Sequence, residues 1–202
     1  MMMAIQQRGQ KTEAKIVQTA LDLFHKQGIE ATSVDEILER SGTGKSQFYH
    51  YFKSKDDLIH AVVKHFYAML CDEQLPMKQH IRTWKDLEDW FDFFIQCQKS
   101  TCCARGCPMV TIGYHLMEKH ESIRQDINLI LQMTIKPIRA FFADLKARGK
   151  LRKSADPDSL ADLCFITMQG GLIVSKIKKE CTSFEKSVHH VLSYLKSFSV
   201  KT

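Results

Sequence analysis

From about residue 11 almost to the end of the chain, apolar residues recur at three- and four-residue intervals, the spacing of one face of an α-helix. Ile16, Val17, Ala20, Leu21 and Phe24 set the pattern, and Val188, Val191, Leu192, Leu195 and Phe198 repeat it near the other end. No sustained period-two alternation rich in β-branched residues interrupts it, and there is no Asn-Gly or Asp-Gly hairpin turn. The expected fold class is all-α. With 202 residues, 44% of them hydrophobic, the chain can fill a real core, as one domain or as a small module joined to a larger one.

Turn and cap residues divide the pattern. A first helix over about 11–26 is expected to end at Gly28, a residue suited to a left-handed cap. A short second helix begins at Ser33, with Glu36 placed to complete a capping box and Val34, Ile37 and Leu38 on its inner face. Ser41-Gly42-Thr43-Gly44 is a turn. A third short helix follows over about 45–52, and a fourth after Ser54, which has Asp57 three residues on. Beyond the break at Pro76, longer helices are expected from about residue 83, with Leu87, Phe91, Phe94 and Ile95 on one stripe before the turn at Arg105-Gly106, and over about 108–119, 122–148, 157–178 and 183–198. Pro137 should kink or divide the third of these.

Two short helices on a longer one, joined by a tight glycine-containing turn, have the form of a helix-turn-helix, whose second short helix enters the major groove of DNA. The charge agrees. The whole chain carries a formal +6, and residues 40–55 contain Arg40, Lys45, Lys53 and Lys55 with no acid. Lys45 and Lys55 can neutralise phosphates and release counterions. Tyr49 and His50 can donate to phosphate oxygens. The Gln47 amide can pair with an adenine edge. Thr43 and Ser46 are small enough for close backbone approach. Thr32 and Ser33 stand at a helix N-terminus, where free N–H groups favour a phosphate. Phe48 and Phe52, four residues apart, should point inward, with Tyr51 packing beside them. Taken alone, the same residues also fit a solvated face over an aromatic core.

The run from Gly28 to Ile37, followed by Ser41-Gly42-Thr43-Gly44-Lys45-Ser46-Gln47-Phe48-Tyr49-His50-Tyr51-Phe52-Lys53-Ser54-Lys55, closely resembles the DNA-binding domain of the TetR/AcrR family. Its specific parts are Phe-Tyr-x-x-Phe on the short helix and the Lys-Ser-Lys start of the fourth, and it covers about residues 11–66 without a gap. The resemblance implies a homodimeric all-helical repressor whose larger domain binds a small effector that releases DNA. It implies phosphate contacts from Thr32 or Ser33, Tyr49 and Lys55, and base contacts from Gln47 with Ser46 and His50. One departure is Gly44, where the family often has Ser, which leaves Thr43 as the candidate cap. The expected division is a DNA-binding domain over 1–55 and an effector-binding and dimerisation domain over 56–202.

The resemblance also implies a dimer through the last two helices, about 157–178 and 183–198. Val188, Val191, Leu192 and Leu195 form a stripe suited to helix packing, and Gly170 and Gly171 would allow close approach, although both could serve the domain's own core. Trp90, Phe94, Cys107, Tyr114, Met133, Phe165, Met168 and Gln169 are the candidates to line an effector pocket. Seven cysteines, an odd number, argue for reduced thiols rather than a disulfide framework. Cys102, Cys103 and Cys107 cluster without zinc spacing, so neither metal nor cofactor is expected. Cys107, beside Arg105 and at a helix start, raises an alternative: a regulator sensing oxidants or electrophiles through that thiol. An enzyme using Cys107 with His115 or His120 lacks any supporting motif. No apolar run suggests a bilayer span and the start of the chain is polar, so a cytoplasmic protein without membrane partners is expected.

Overall fold

The computed structural model describes residues 2–116 and 121–200, with side chains over 11–113 and 121–200. Among the described residues it holds nine helices and no strand: α1 Met2–Gln27, α2 Val34–Ser41, α3 Lys45–Tyr51, α4 Lys55–Cys71, α5 Trp84–Ser100, α6 Pro108–Leu116, α7 Glu121–Ala147, α8 Pro157–Lys178 and α9 Thr182–Lys196. α1 begins well before the expected start at residue 11. α7 runs unbroken through Pro137, so the proline does not divide it.

The chain forms two compact units. One comprises the residues through Asp72 with Pro108–Asn128; the other comprises Glu73–Cys107 with the residues from 129 onward. The packing boundary falls elsewhere than the expected division at residue 55. α4 buries Leu58, Ile59, Val62 and Val63 and packs on α1, so it belongs with the helices before it.

In the first unit α1 buries Ile16, Val17, Ala20, Leu21 and Phe24, and α2, α3, α4 and α6 all rest on it. Ile37 and Leu38 of α2, Phe48 of α3 and Phe52 just past it are buried with them. Gly28, at φ +87°, ends α1 as its sequence position requires.

In the second unit Leu87, Trp90, Phe91, Ile138, Phe142, Cys164, Met168, Phe184 and Leu195 are among the side chains that fill the core. α8 and α9 pack as an antiparallel pair, and a Cβ added to Gly171 would fall on the Phe184 ring. Gly171 therefore serves the packing of its own chain, while Gly170 has open space. The expected α9 stripe is also corrected: Val188 and Leu195 are buried in the core, and Val191 and Leu192 pack partly against it. The outward apolar face lies on α8, where Ile166, Ile173, Val174 and Ile177 are exposed. With a core face and an apolar outer face, α8 is the one described helix long and apolar enough to cross a bilayer, at a mean hydropathy of 1.4. The expectation that no run approaches that composition is corrected accordingly.

Candidate DNA-binding interface

α2 and α3 owe their placement to caps at both ends of the turn between them. Ser33 caps α2: its Oγ accepts from the Glu36 N–H at 3.1 Å. Glu36 does not complete the box. Its carboxylate takes a hydrogen bond from Gln27 Nε2 at 2.7 Å and pairs with Arg40 at 3.2 Å, which ties α2 back to the end of α1. Gly42, at φ +60°, supplies the left-handed turn after α2.

Gly44 is the N-cap of α3 and has no side chain to do the capping. The Gln47 side chain does half the work instead: its Oε1 accepts from the Gly44 N–H at 3.0 Å. Thr43 is not the substitute cap, because its hydroxyl pairs with Ser41 Oγ at 2.6 Å inside the turn. From this start α3 buries only Phe48, which meets the rings of Tyr49 and Phe52 at 5.3 and 5.4 Å. Tyr49 is 64% exposed, and Ser46, Gln47 and His50 are exposed with it. These residues, with half-buried Tyr51, line an open depression of about 460 Å³. The His50 ring lies edge-on to Tyr51 at 4.8 Å.

The lysines are held in different ways. Lys45 is exposed and pairs with Asp35 of α2 at 3.0 Å; that hydrogen bond and charge raise its pKa above the ordinary lysine value. Half-buried Lys55 donates to the Ile29 carbonyl at 2.6 Å, so one of its three protons braces the loop between α1 and α2. Ser54 caps α4 by accepting from the Asp57 N–H at 3.1 Å, as its spacing implies.

Of the nine residues expected at the DNA, Ser33, Lys45, Ser46, Gln47, Tyr49 and His50 are exposed, and Thr43 and Lys55 are half-buried. Thr32 is the exception. It is fully buried, its hydroxyl donates to the Gly28 carbonyl at 2.7 Å, and its N–H donates to the Ile29 carbonyl at 3.2 Å. Both donors a phosphate would need are spent on closing the loop. Asp35, which the sequence reading did not single out, stands as the acidic neighbour of Lys45. Its signal is only that two charged residues lie ten positions apart across a turn.

In the second unit Trp90 and Met168 are fully buried in the core, and Phe94, Cys107 and Phe165 pack partly against it. Met133 and Gln169 are half-buried, and the Tyr114 side chain lies outside the described residues. Trp90 Nε1 and Gln169 Oε1 are buried with no hydrogen-bond partner among the described residues. Of the three cysteines noted in the sequence, Cys102 is exposed, Cys107 is half-buried, and buried Cys103 has its Sγ 3.3 Å from that of Cys181.

Comparison with known proteins places this geometry. The model of the tetR family of bacterial regulatory proteins matches residues 16–62, and that of the tetracyclin repressor-like C-terminal domain matches residues 84–191. An uncharacterised HTH-type transcriptional regulator of Lactococcus lactis subsp. lactis is 27% identical over 87% of this chain and 89% of its own length. The HTH-type transcriptional repressor DhaR of Mycobacterium sp. (strain GP1) is 22% identical over 81% of this chain and 82% of its own. Among solved structures, a TetR transcriptional regulator from Chloroflexus aurantiacus superposes with a TM-score of 0.77 at 23% identity, covering 96% of this chain and 98% of that one. A TetR-family regulator from Cytophaga hutchinsonii does so with a TM-score of 0.78 at 14% identity over the same shares. The helix-turn-helix on α2 and α3, the all-helical unit that follows and both family matches make this chain a member of the TetR family of DNA-binding transcriptional regulators.

Proposed function

We propose that this regulator is a cytoplasmic repressor that holds a near-palindromic operator as a homodimer and lets go when a small molecule binds its second unit. The α3 surface carries the DNA half of this reading. Buried Phe48 fixes the helix, and Ser46, Gln47, Tyr49 and His50 are left facing outward. Tyr49 and His50 donate to phosphates and set the register, and Ser46 and Gln47 face base edges. Ser33 keeps its hydroxyl proton for a phosphate, because its oxygen is the partner used in the cap. Lys45 exchanges Asp35 for a phosphate, and Lys55 offers the protons it does not give to Ile29. Two relatives, DhaR and ComR of Escherichia coli, are named as repressors.

The dimer forms on α8 and α9, with Ile166, Ile173, Val174 and Ile177 as the contact face in place of the buried α9 stripe. A helical repressor with two copies of α3 reads two half-sites. The effector binds near Trp90 and Gln169. A buried donor and a buried acceptor without partners each cost about 1–3 kcal/mol, which a polar ligand group would recover.

Fluorescence anisotropy with the DNA upstream of the protein's own gene tests the reading. Tight, salt-sensitive binding by the native chain, weakened at least tenfold in Tyr49→Ala with unchanged helicity, is the expected result. Equal binding by both proteins contradicts it.

A further inference from the structure

The Sγ atoms of Cys103 and Cys181 lie 3.3 Å apart although 78 positions separate the two residues. Both are buried, at 3% and 8% exposure, inside the second unit. Cys103 sits in the turn that closes α5, and Cys181 is the N-cap of α9, where its side chain makes no capping bond. Neither residue has a role in DNA binding or in the effector site proposed above. We propose that Cys103 and Cys181 are a modification site: a thiol pair that a low-molecular-weight disulfide converts reversibly to an internal disulfide.

A sulfur–sulfur bond is about 2.05 Å long, so the pair must close by little more than an ångström. The turn that carries Cys103 holds a strained backbone. Cys102 and Cys103 hold φ of 49° and 55°, a left-handed backbone that L residues adopt only under constraint. Hydrogen bonds hold it in that form: Cys102 N–H to the Lys99 carbonyl at 3.2 Å, Cys103 N–H to the Gln98 carbonyl at 2.7 Å, Ala104 N–H to the Thr101 carbonyl at 3.0 Å and Gln98 Nε2 to the Arg105 carbonyl at 2.6 Å. The Lys99–Glu185 ion pair joins the last turn of α5 to the first turn of α9, which holds the two thiols close. Local opening of the turn is the step that brings Cys103 to the oxidant, and Cys181, its neighbour at 3.3 Å, then resolves the adduct. Burial and the hydrogen bond with Cys103 push the Cys181 thiol up to about 11, so Cys181 rests as a thiol at neutral pH until an oxidant arrives.

The exchange balances in two steps. The Cys103 thiolate attacks one sulfur of the small disulfide, its S–S bond breaks, and one small thiol leaves. The Cys181 thiolate then attacks the Cys103 sulfur of the mixed disulfide and expels the second small thiol. Two protein thiols are oxidised and one disulfide is reduced to two thiols. The product bolts the end of α5 to the start of α9, inside the unit to which the effector site is assigned.

The test treats the full chain with oxidised glutathione, blocks remaining thiols with iodoacetamide, and maps non-reduced peptides by mass spectrometry. The expected product has lost two hydrogens, carries one cross-link between the Cys103 and Cys181 peptides, and reverts with dithiothreitol. The link persists in Cys102→Ser and Cys107→Ser. In Cys181→Ala it is replaced by a lasting glutathione adduct on Cys103. Recovery of both Cys103 and Cys181 in alkylated form, with glutathione only on the exposed thiols, overturns the proposal, as does a cross-link in any other pairing.

Discussion

Gln47 has two uses for one side chain. Its Oε1 accepts the Gly44 N–H at the start of α3, and pairing with both polar atoms of an adenine edge would require that same oxygen. Gln47→Ala should therefore cost stability as well as DNA specificity, about 0.5–1 kcal/mol in urea unfolding. Gly44 has an extended φ of −101° and open space where a Cβ would stand, so Gly44→Ser introduces a capping hydroxyl without strain. That hydroxyl would accept from the Gln47 N–H, a different donor from the one Gln47 Oε1 satisfies, so the cost of Gln47→Ala should persist in that background. No loss of stability on Gln47→Ala in either background would show that Gln47 does not cap the helix. The sequence displayed the missing hydroxyl at Gly44 but not its replacement, because whether Thr43 or Gln47 serves depends on which way the turn points each side chain. Thr32 was misplaced for a similar reason. A threonine before a helix cap has the same pattern whether its hydroxyl faces solvent or closes the loop onto Gly28.

At the scale of the element, two sites set how well the second unit holds. Gly171 lets α8 lie close against Phe184 of α9, and even a methyl group there would overlap the ring. Gly171→Ala should destabilise the protein by about 1–3 kcal/mol through forced repacking, measured by thermal unfolding, whereas Gly170→Ala should not. The start of α5 depends on charge. Asp86 accepts from the Thr83 and Arg82 N–H groups, both at 2.9 Å, and pairs with Lys78 at 2.5 Å; Lys78 first, then these N–H groups, hold its carboxyl well below the usual carboxylate range. A pKa lowered by folding gives stability that is complete at neutral pH and is lost as the pH falls below about 4, where the unfolded carboxylate gains its proton first. Trp84, the first residue of α5, should report this as an acid-induced fluorescence change that Asp86→Asn abolishes.

Helix existence and most boundaries were legible because the spacing of apolar residues and the caps at Gly28, Ser33 and Ser54 are local properties. Which face of a helix meets which neighbour was not. On α9 a regular stripe turned out to serve the core, and on α8 apolar residues cover both faces, so periodicity alone could not separate inner from outer. The Cys103–Cys181 approach left no trace in the sequence, since two residues so far apart meet only through the fold.

For the whole molecule, the exposed apolar face of α8 is the feature a monomer leaves unexplained. Ile177 is 75% exposed and Ile166 66%. Replacing Ile173 and Ile177 with Glu should leave the helical content intact and halve the mass seen by sedimentation. The same mass for native and variant proteins would move the dimer contact elsewhere. The central claim, that the outer face of α3 chooses the DNA, is tested most directly by selecting duplexes from a random pool with the full-length protein. The account predicts enrichment of an inverted repeat by the native chain and a changed base preference within each half-site in Gln47→Ala. No enrichment, or the same enriched sequence from both proteins, would contradict it.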